Sequence, residues 1–340
     1  MKSFTTSGML LLLLTMLATG CERRDLTYYL ESEITVTSDW NSSGLEERGY
    51  GATVVFYPHD GGEPIPVLMG DREQTKVRLP EGVYDALIFN RKPEDFGGIV
   101  FESDGTIGNL EAHAREMETR MDPATKKTTR VIVKTPEELA SDAIWDFAIT
   151  GDMLGNYSDV MNPNKRDTGG QASGDPERYH IHFVPKPLTI EVQVKIDVPG
   201  INSLRSAVGI LENVSESVRL CSCEPSKELV SEQFALPDIR YNEGSPFDGV
   251  LSGQLNVFGF DDRQAHRLTF RGLLVDGSTI VERTVDTTSE REVKEDGSIL
   301  IRIRAQLDKL PDVKPEGGSD SGFDVNVGDW GDPEHEEIPL

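Results

Sequence analysis

The chain has 340 residues and carries 59 Asp and Glu against 34 Lys and Arg, a formal charge of −25. So acidic a chain repels phosphate backbones and anionic headgroups, which excludes a nucleic-acid partner and any membrane attachment through basic residues. Its 37% apolar content, with 32 Gly and 19 Pro, suits a turn-rich globular protein, and its length suits two domains.

The first 25 residues fix the address. Met9 to Leu17 is an apolar run too short to span a bilayer, and it is followed by the small residues Ala18-Thr19-Gly20 and then by Cys21. A short apolar core closed by small residues predicts a secretory signal peptide over residues 1–20. A cysteine directly behind it matches a bacterial lipobox. The expectation is a cut between Gly20 and Cys21, with lipid (diacylglycerol, and a fatty acid such as palmitate) on Cys21. Two or three acyl chains anchor firmly where one does not, so the mature chain is expected on the outer membrane, at the cell surface, with the periplasmic face left open.

From Leu30 the sequence reads as strands and turns. Ile34 to Thr37 alternates and ends at Asp39-Trp40, and Asn41 to Gly49 is a polar loop containing Arg48-Gly49. Ala52 to Tyr57 is a second strand, closed by Pro58 and Asp60-Gly61-Gly62. Two prolines confine Pro64 to Leu68 to a sheet edge or a strand start. Lys76 to Leu79 leads through Pro80-Glu81-Gly82 into Val83 to Asn90, the strongest strand of this half. This Leu-Pro-Glu-Gly turn before a Tyr-bearing strand resembles transthyretin-like and carboxypeptidase-regulatory-like sandwiches, in which the Tyr strand enters the core. Ile99 to Phe101 and Arg130 to Lys134 are further strands. Thr135-Pro136-Glu137-Glu138-Leu139 has the Thr N-cap and Pro at the first position that predict a short helix start. Asn156 to Pro176 is a long polar loop, and Tyr179 to Val184 closes a domain of residues 21–185.

Pro185-Lys186-Pro187 marks a border. Leu188 to Ile196 alternates over nine residues, and strands follow at Ala207, Gly249, Leu255, Arg267, Thr279 and Ser298, with Asp276-Gly277 as a hairpin signal. Regular strands with almost no helix predict an all-β fold of two β-sandwich domains in series, the second over residues 186–308. Residues 309–340 read as a linker from Leu310 to Ser321 and then an amphipathic strand, with Phe323, Val325 and Val327 on one face and Trp330 at its end. Such a strand needs a partner for its backbone groups.

The search for chemistry returns no enzyme. No phosphate-binding glycine loop and no Gly-x-Ser-x-Gly elbow occurs, and His335-Glu336-Glu337 lacks the second His of a zinc protease. His180 and His182 share a strand face but have no further marked ligand, and the Asp152 to Asp167 segment lacks the spacing of a calcium loop. No metal or cofactor is expected. Cys221 and Cys223 are separated by one residue; the reading is two half-buried or surface thiols, with a strained bridge as the alternative. Trp40, Trp145 and Trp330 lie far apart, which favours packing at the core or a domain edge over a sugar-stacking platform.

Several stretches together carry a wider resemblance. Cys21 to Leu26, Ile34 to Trp40, Leu79 to Asp85 and the tail Gly322 to Trp330 resemble the fimbrillin-like lipoproteins of Bacteroidetes, two-sandwich subunits or relatives of type V pili. The resemblance implies a lipidated precursor that is cut after an arginine in the first domain, here Arg48, before Gly49. It implies that losing the first strand opens a groove, and that a C-terminal strand of the next subunit, here Phe323 to Trp330, fills it by β-strand addition. Two functions stand side by side. One is a structural or adhesive fimbrillin-type subunit whose partners are the outer membrane, through Cys21, and other subunits. The other is a glycan-binding surface lipoprotein of a polysaccharide-uptake system, with a glycan or host-surface ligand.

Overall fold

The structure, a computed structural model, describes residues 30–45, 51–121, 128–151, 153–154, 179–261, 263–294 and 297–315. Gly20, Cys21, Arg48, Gly49, Phe323, Val325, Val327 and Trp330 lie outside the described residues, as does the Asn156 to Pro176 loop.

The first half supplies β1 (Glu31–Ser38), β2 (Ala52–Pro58), β3 (Ile65–Met69), β4 (Gln74–Pro80), β5 (Gly82–Asn90), β6 (Ile99–Glu102), β7 (Glu111–Ala114), β8 (Glu116–Met121), β9 (Thr128–Lys134), β10 (Ala140–Ile149) and β11 (His180–Phe183). The second supplies β12 (Lys186–Pro187), β13 (Ile190–Pro199), β14 (Leu204–Ser215), β15 (Ser217–Arg219), β16 (Glu224–Pro225), β17 (Leu229–Ala235) and β18 (Asp238–Tyr241). It ends with β19 (Asp248–Val257), β20 (Arg267–Leu274), β21 (Ile280–Asp286), β22 (Thr288–Val293) and β23 (Ile299–Gln306).

The fold is all-β and holds two sandwiches. In the first, a three-stranded sheet in the order β11-β1-β4 packs on a five-stranded sheet, β12-β10-β5-β2-β3. Ile34, Val36, Val54, Phe56, Val77, Leu79, Ile88 and Phe183 meet between them, all buried. In the second, β18-β19-β13-β23-β22 packs on β21-β20-β14-β17-β9-β8, around Val192, Val194, Leu255, Phe270 and Ile303. β3 is an edge strand, one of the places that Pro66 allows. Asp276-Gly277 turns the β20–β21 hairpin, with Gly277 at φ +72°. Tyr84 is buried and its hydroxyl donates to the Pro80 carbonyl at 3.1 Å, so the Leu-Pro-Glu-Gly turn is stapled to the core by the strand it launches.

β5 explains why the two sandwiches form one body. Its Ala86 and Ile88 point into the first core, while Leu87 and Phe89 point the other way and join the second. A strand buried on both faces reads as a continuous apolar run, which is what Ala86 to Phe89 is.

Three expectations need correction. Thr135 to Leu139 is extended loop and not a helix start. Its polar groups are spent elsewhere: Glu137 Oε1 accepts the amides of Gly97 and Gly98 at 2.8 and 3.1 Å, and Thr135 Oγ1 accepts the Asn256 amide at 3.1 Å. Sheet membership does not follow the border at Pro185, because β9 pairs in parallel with β17 and β7 pairs with β15, across that border. Nor does the linker begin freely at Leu310, which is buried and donates its amide to the Pro199 carbonyl at 2.9 Å.

Candidate functional site

β1 sits as a guest between two hosts. It runs parallel to β11, with Val36 opposite Ile181, and antiparallel to β4, with Ile34 opposite Val77. Its sequence alternates, and so does its burial: Ser32, Ile34, Val36 and Ser38 face inward, while Glu31, Glu33, Thr35 and Thr37 face outward. Ile34 and Val36 have no solvent exposure. Each fully buried side chain of this kind contributes about 1.5–3 kcal/mol.

Polar contacts fasten both ends of the strand. At the start, Ser32 Oγ donates to the Met153 carbonyl at 3.0 Å. At the end, the Ser38 amide donates to the Glu73 carbonyl and the Asp39 amide to the Phe183 carbonyl, each at 2.9 Å, so both hosts still hold the chain as it leaves the sheet. On the outer face Lys76 Nζ pairs with Glu33 at 2.8 Å. This contact holds the Glu33 carboxyl below the usual carboxylate range, led by the hydrogen bond from Lys76.

His180 and His182 lie exposed on β11, where both rings meet Thr37 Oγ1, at 2.7 and 2.8 Å. They decorate the β1–β11 seam; no carboxylate or thiol joins them as a metal ligand among the described residues.

Beyond Ser38 the chain turns at Trp40 and lines a polar cleft of about 520 Å³. One wall is Asp39 to Asn41 and Ser43 to Leu45 with Arg72 and Glu73; the other is Thr189, Glu191, Gln254, Asn256, Lys294 and Ser298 from the second sandwich. Lys294 Nζ pairs with Glu191 there at 2.6 Å. Gly44, at φ +70°, passes close enough to Pro187 and Ser298 that a Cβ would touch both. These walls come from residues up to about 260 positions apart, so no local spacing in the sequence could have marked the cleft.

The remaining candidates separate. Trp40 is buried, as core packing requires, but Trp145 is half exposed, because β10 bulges at that point. Cys221 and Cys223 are free thiols in a turn, not a strand, with Cys223 at φ +57°. Burial raises the pKa of both.

A family described as "Domain of unknown function (DUF5119)" matches residues 20–235. Among solved structures, the chain is similar to one described as a "putative adhesin" from Bacteroides ovatus, with a TM-score of 0.51 and 17% identity, covering 87% of this chain and 99% of that one. A second B. ovatus structure of the same description has a TM-score of 0.40 at 8% identity, covering 72% and 75%. The fimbrial anchor protein Mfa2 from Porphyromonas gingivalis has a TM-score of 0.37 at 11% identity, covering 80% and 95%. At 17% identity the first likeness is one of fold, and it agrees with the all-β sandwich architecture expected from the sequence. No curated protein matches the chain.

Proposed function

We propose that this chain, which belongs to the DUF5119 family, is a structural or adhesive subunit of fimbrial type at the cell envelope, and that it works through exchange of β1. The observation that carries the reading is the seating of β1: a short alternating strand near the start of the chain, held by backbone ladders on both sides over a buried apolar stripe. Taking it away would leave Val77, Leu79, Ile181 and Phe183 without cover and two strands without ladder partners. Such a slot accepts a replacement strand of the same period, with the ladder supplying affinity and the alternate side chains fitting the pockets.

The finer steps of the proposal follow from the sequence. Lipid on Cys21 brings the chain to the outer membrane. A cut after Arg48 severs the segment that holds β1. The face of Phe323, Val325 and Val327 in a neighbouring subunit then takes the places of Ile34 and Val36. The shared fold with the B. ovatus structure described as a "putative adhesin" supports the class, and no residue set for bond-breaking chemistry is invoked.

N-terminal mass spectrometry of protein shed from cells tests the cut: a mature start at Gly49 supports exchange, and one always at acylated Cys21 removes it and leaves an anchor role. Oligomers that resist boiling, lost on deleting residues 322–340, test the donor strand.

The polar cleft favours a second reading, binding of a glycan between the loop after β1 and the second sandwich, since its size and polar lining suit a small ligand. Saturable binding on a glycan array, lost in Asn256→Ala but kept in Trp145→Ala, would place a sugar in the cleft.

A further inference from the structure

Away from β1, three side chains converge at the open end of the β10-β5-β2 sheet. β2 ends at Pro58, and the His59 amide adds one more ladder bond, to the Val83 carbonyl at 2.9 Å. Asp85 on β5 stands opposite Tyr57, so His59, two residues on, lies diagonally across from it on the same face. The His59 Nε2 to Asp85 Oδ1 distance is 2.9 Å.

The third member arrives through a bulge. β10 pairs Ile144 with Ala86 and Phe147 with Tyr84, so Trp145 and Asp146 together oppose the single residue Asp85. Asp146 adopts the left-handed conformation, φ +57°, and its amide donates to Asp85 Oδ1 at 3.0 Å. Ligand atoms of His59, Asp85 and Asp146 all lie within 4.8 Å of one another.

We propose that His59, Asp85 and Asp146 form a binding site for a divalent transition cation, of which zinc is the type. Two carboxylates brought together repel; a doubly charged ion between them removes that repulsion, with the neutral imidazole of His59 as a third ligand. The donor set selects the ion. An imidazole nitrogen with carboxylate oxygens suits zinc and its neighbours, whereas calcium and magnesium take oxygen ligands. The spacing is within reach: two ligand atoms each about 2.1 Å from a tetrahedral ion stand about 3.4 Å apart, between the 2.9 Å of the His59–Asp85 pair and the 4.8 Å that bounds all three. The three ligands come from one end of β2, the middle sheet strand β5 and the β10 bulge, so the ion would tie three neighbouring strands together, with water in its remaining positions. The site lies apart from the β1 slot and does not depend on strand exchange.

Calorimetric titration of the chelator-treated full chain with zinc chloride tests it. The expected result is one tight equivalent, a rise in Tm with zinc, and no such equivalent with calcium chloride. His59→Ala and Asp146→Asn should each weaken that equivalent by more than about a hundredfold, beyond the roughly 10–100-fold that loss of an outer-shell partner costs. Asn tolerates the left-handed backbone as Asp does, so Asp146→Asn keeps the bulge, and unchanged thermal unfolding without zinc checks this. Weak binding of many ions that neither variant alters, as any surface of this charge produces, would overturn the proposal, as would the absence of a tight equivalent in the parent chain.

Discussion

The indole of Trp40 is clamped by Arg72 in two ways: Nε1 donates to the Arg72 carbonyl at 3.0 Å, and the Arg72 guanidinium lies 5.5 Å from the ring centre. Nε1 also reaches Ser38 Oγ at 3.0 Å, so one side chain joins the end of β1 to the approach to β4 and forms part of the cleft wall. Trp40→Ala is expected to cost about 3–5 kcal/mol, the loss typical of a large buried aromatic. Trp40→Phe, which keeps a ring and removes the indole donor while the Ser38 hydroxyl still donates to the Arg72 carbonyl, should cost about 1 kcal/mol. Urea unfolding of the two variants beside the parent measures both, and a Trp40→Phe variant as stable as the parent would show that the hydrogen bonds contribute nothing.

The seating of β1 leads to a second expectation. With Ile34 and Val36 fully buried, a chain cut after Arg48 in vitro should keep the severed segment bound on gel filtration. Excess peptide spanning Gly322 to Trp330 should displace it slowly, and the same peptide with Val325→Lys should not, because a charge would enter an apolar pocket. A segment that falls away unaided, or that no peptide displaces, would argue against exchange.

Glu232 carries a pH dependence. It lies in β17 between Val230 and Phe234, fully buried, with Oε1 lacking a partner among the described residues. Burial raises its pKa well above 4.5, opposed by a hydrogen bond with Thr135. A carboxyl raised on folding keeps its proton longer in the native state, so its contribution is most favourable below the unfolded value and is lost as pH rises through the folded one. Glu232→Gln should therefore raise Tm at pH 8 relative to the parent, with the difference closing toward about pH 4. Thermal melts across that range check the sign; a Tm gap that widens toward acid would reverse it.

Gly209 is held to glycine by a ring. In β14 it stands opposite Phe234, and a Cβ there would lie 2.4 Å from the ring carbon Cζ of Phe234. Gly209→Ala is expected to cost about 1–3 kcal/mol, as overpacking does. Gly209→Ala combined with Phe234→Leu should recover part of it, which a double-mutant cycle in urea would read.

Much of the fold was legible because β1, β2, β4 and β5 of the first sandwich, and β13 of the second, obey simple patterns. Ile34 to Thr37 alternates because one face meets a core and the other water, and Leu188 to Ile196 alternates for the same reason. β10 escaped because its bulge shifts the register at Trp145 and breaks the two-residue period. β22 escaped because every residue in it is exposed, so no apolar pattern exists to find. The helix start at Thr135 failed because a local cap signature was overridden by distant amide donors at Gly97 and Gly98. The slot of β1 was half legible: its strand could be read, but its parallel neighbour β11 begins about 140 residues later, and only tertiary structure reveals that pairing.

The pairing of β9 with β17 sets a timetable for the newly made polypeptide. Ile132 leaves the ribosome about a hundred residues ahead of Ser231, the position it must eventually face. Until then β9 offers one naked edge to every other chain in the vicinity, and contacts so remote in sequence form slowly. The way the two halves are stitched thus lengthens the interval over which that edge stays exposed during synthesis.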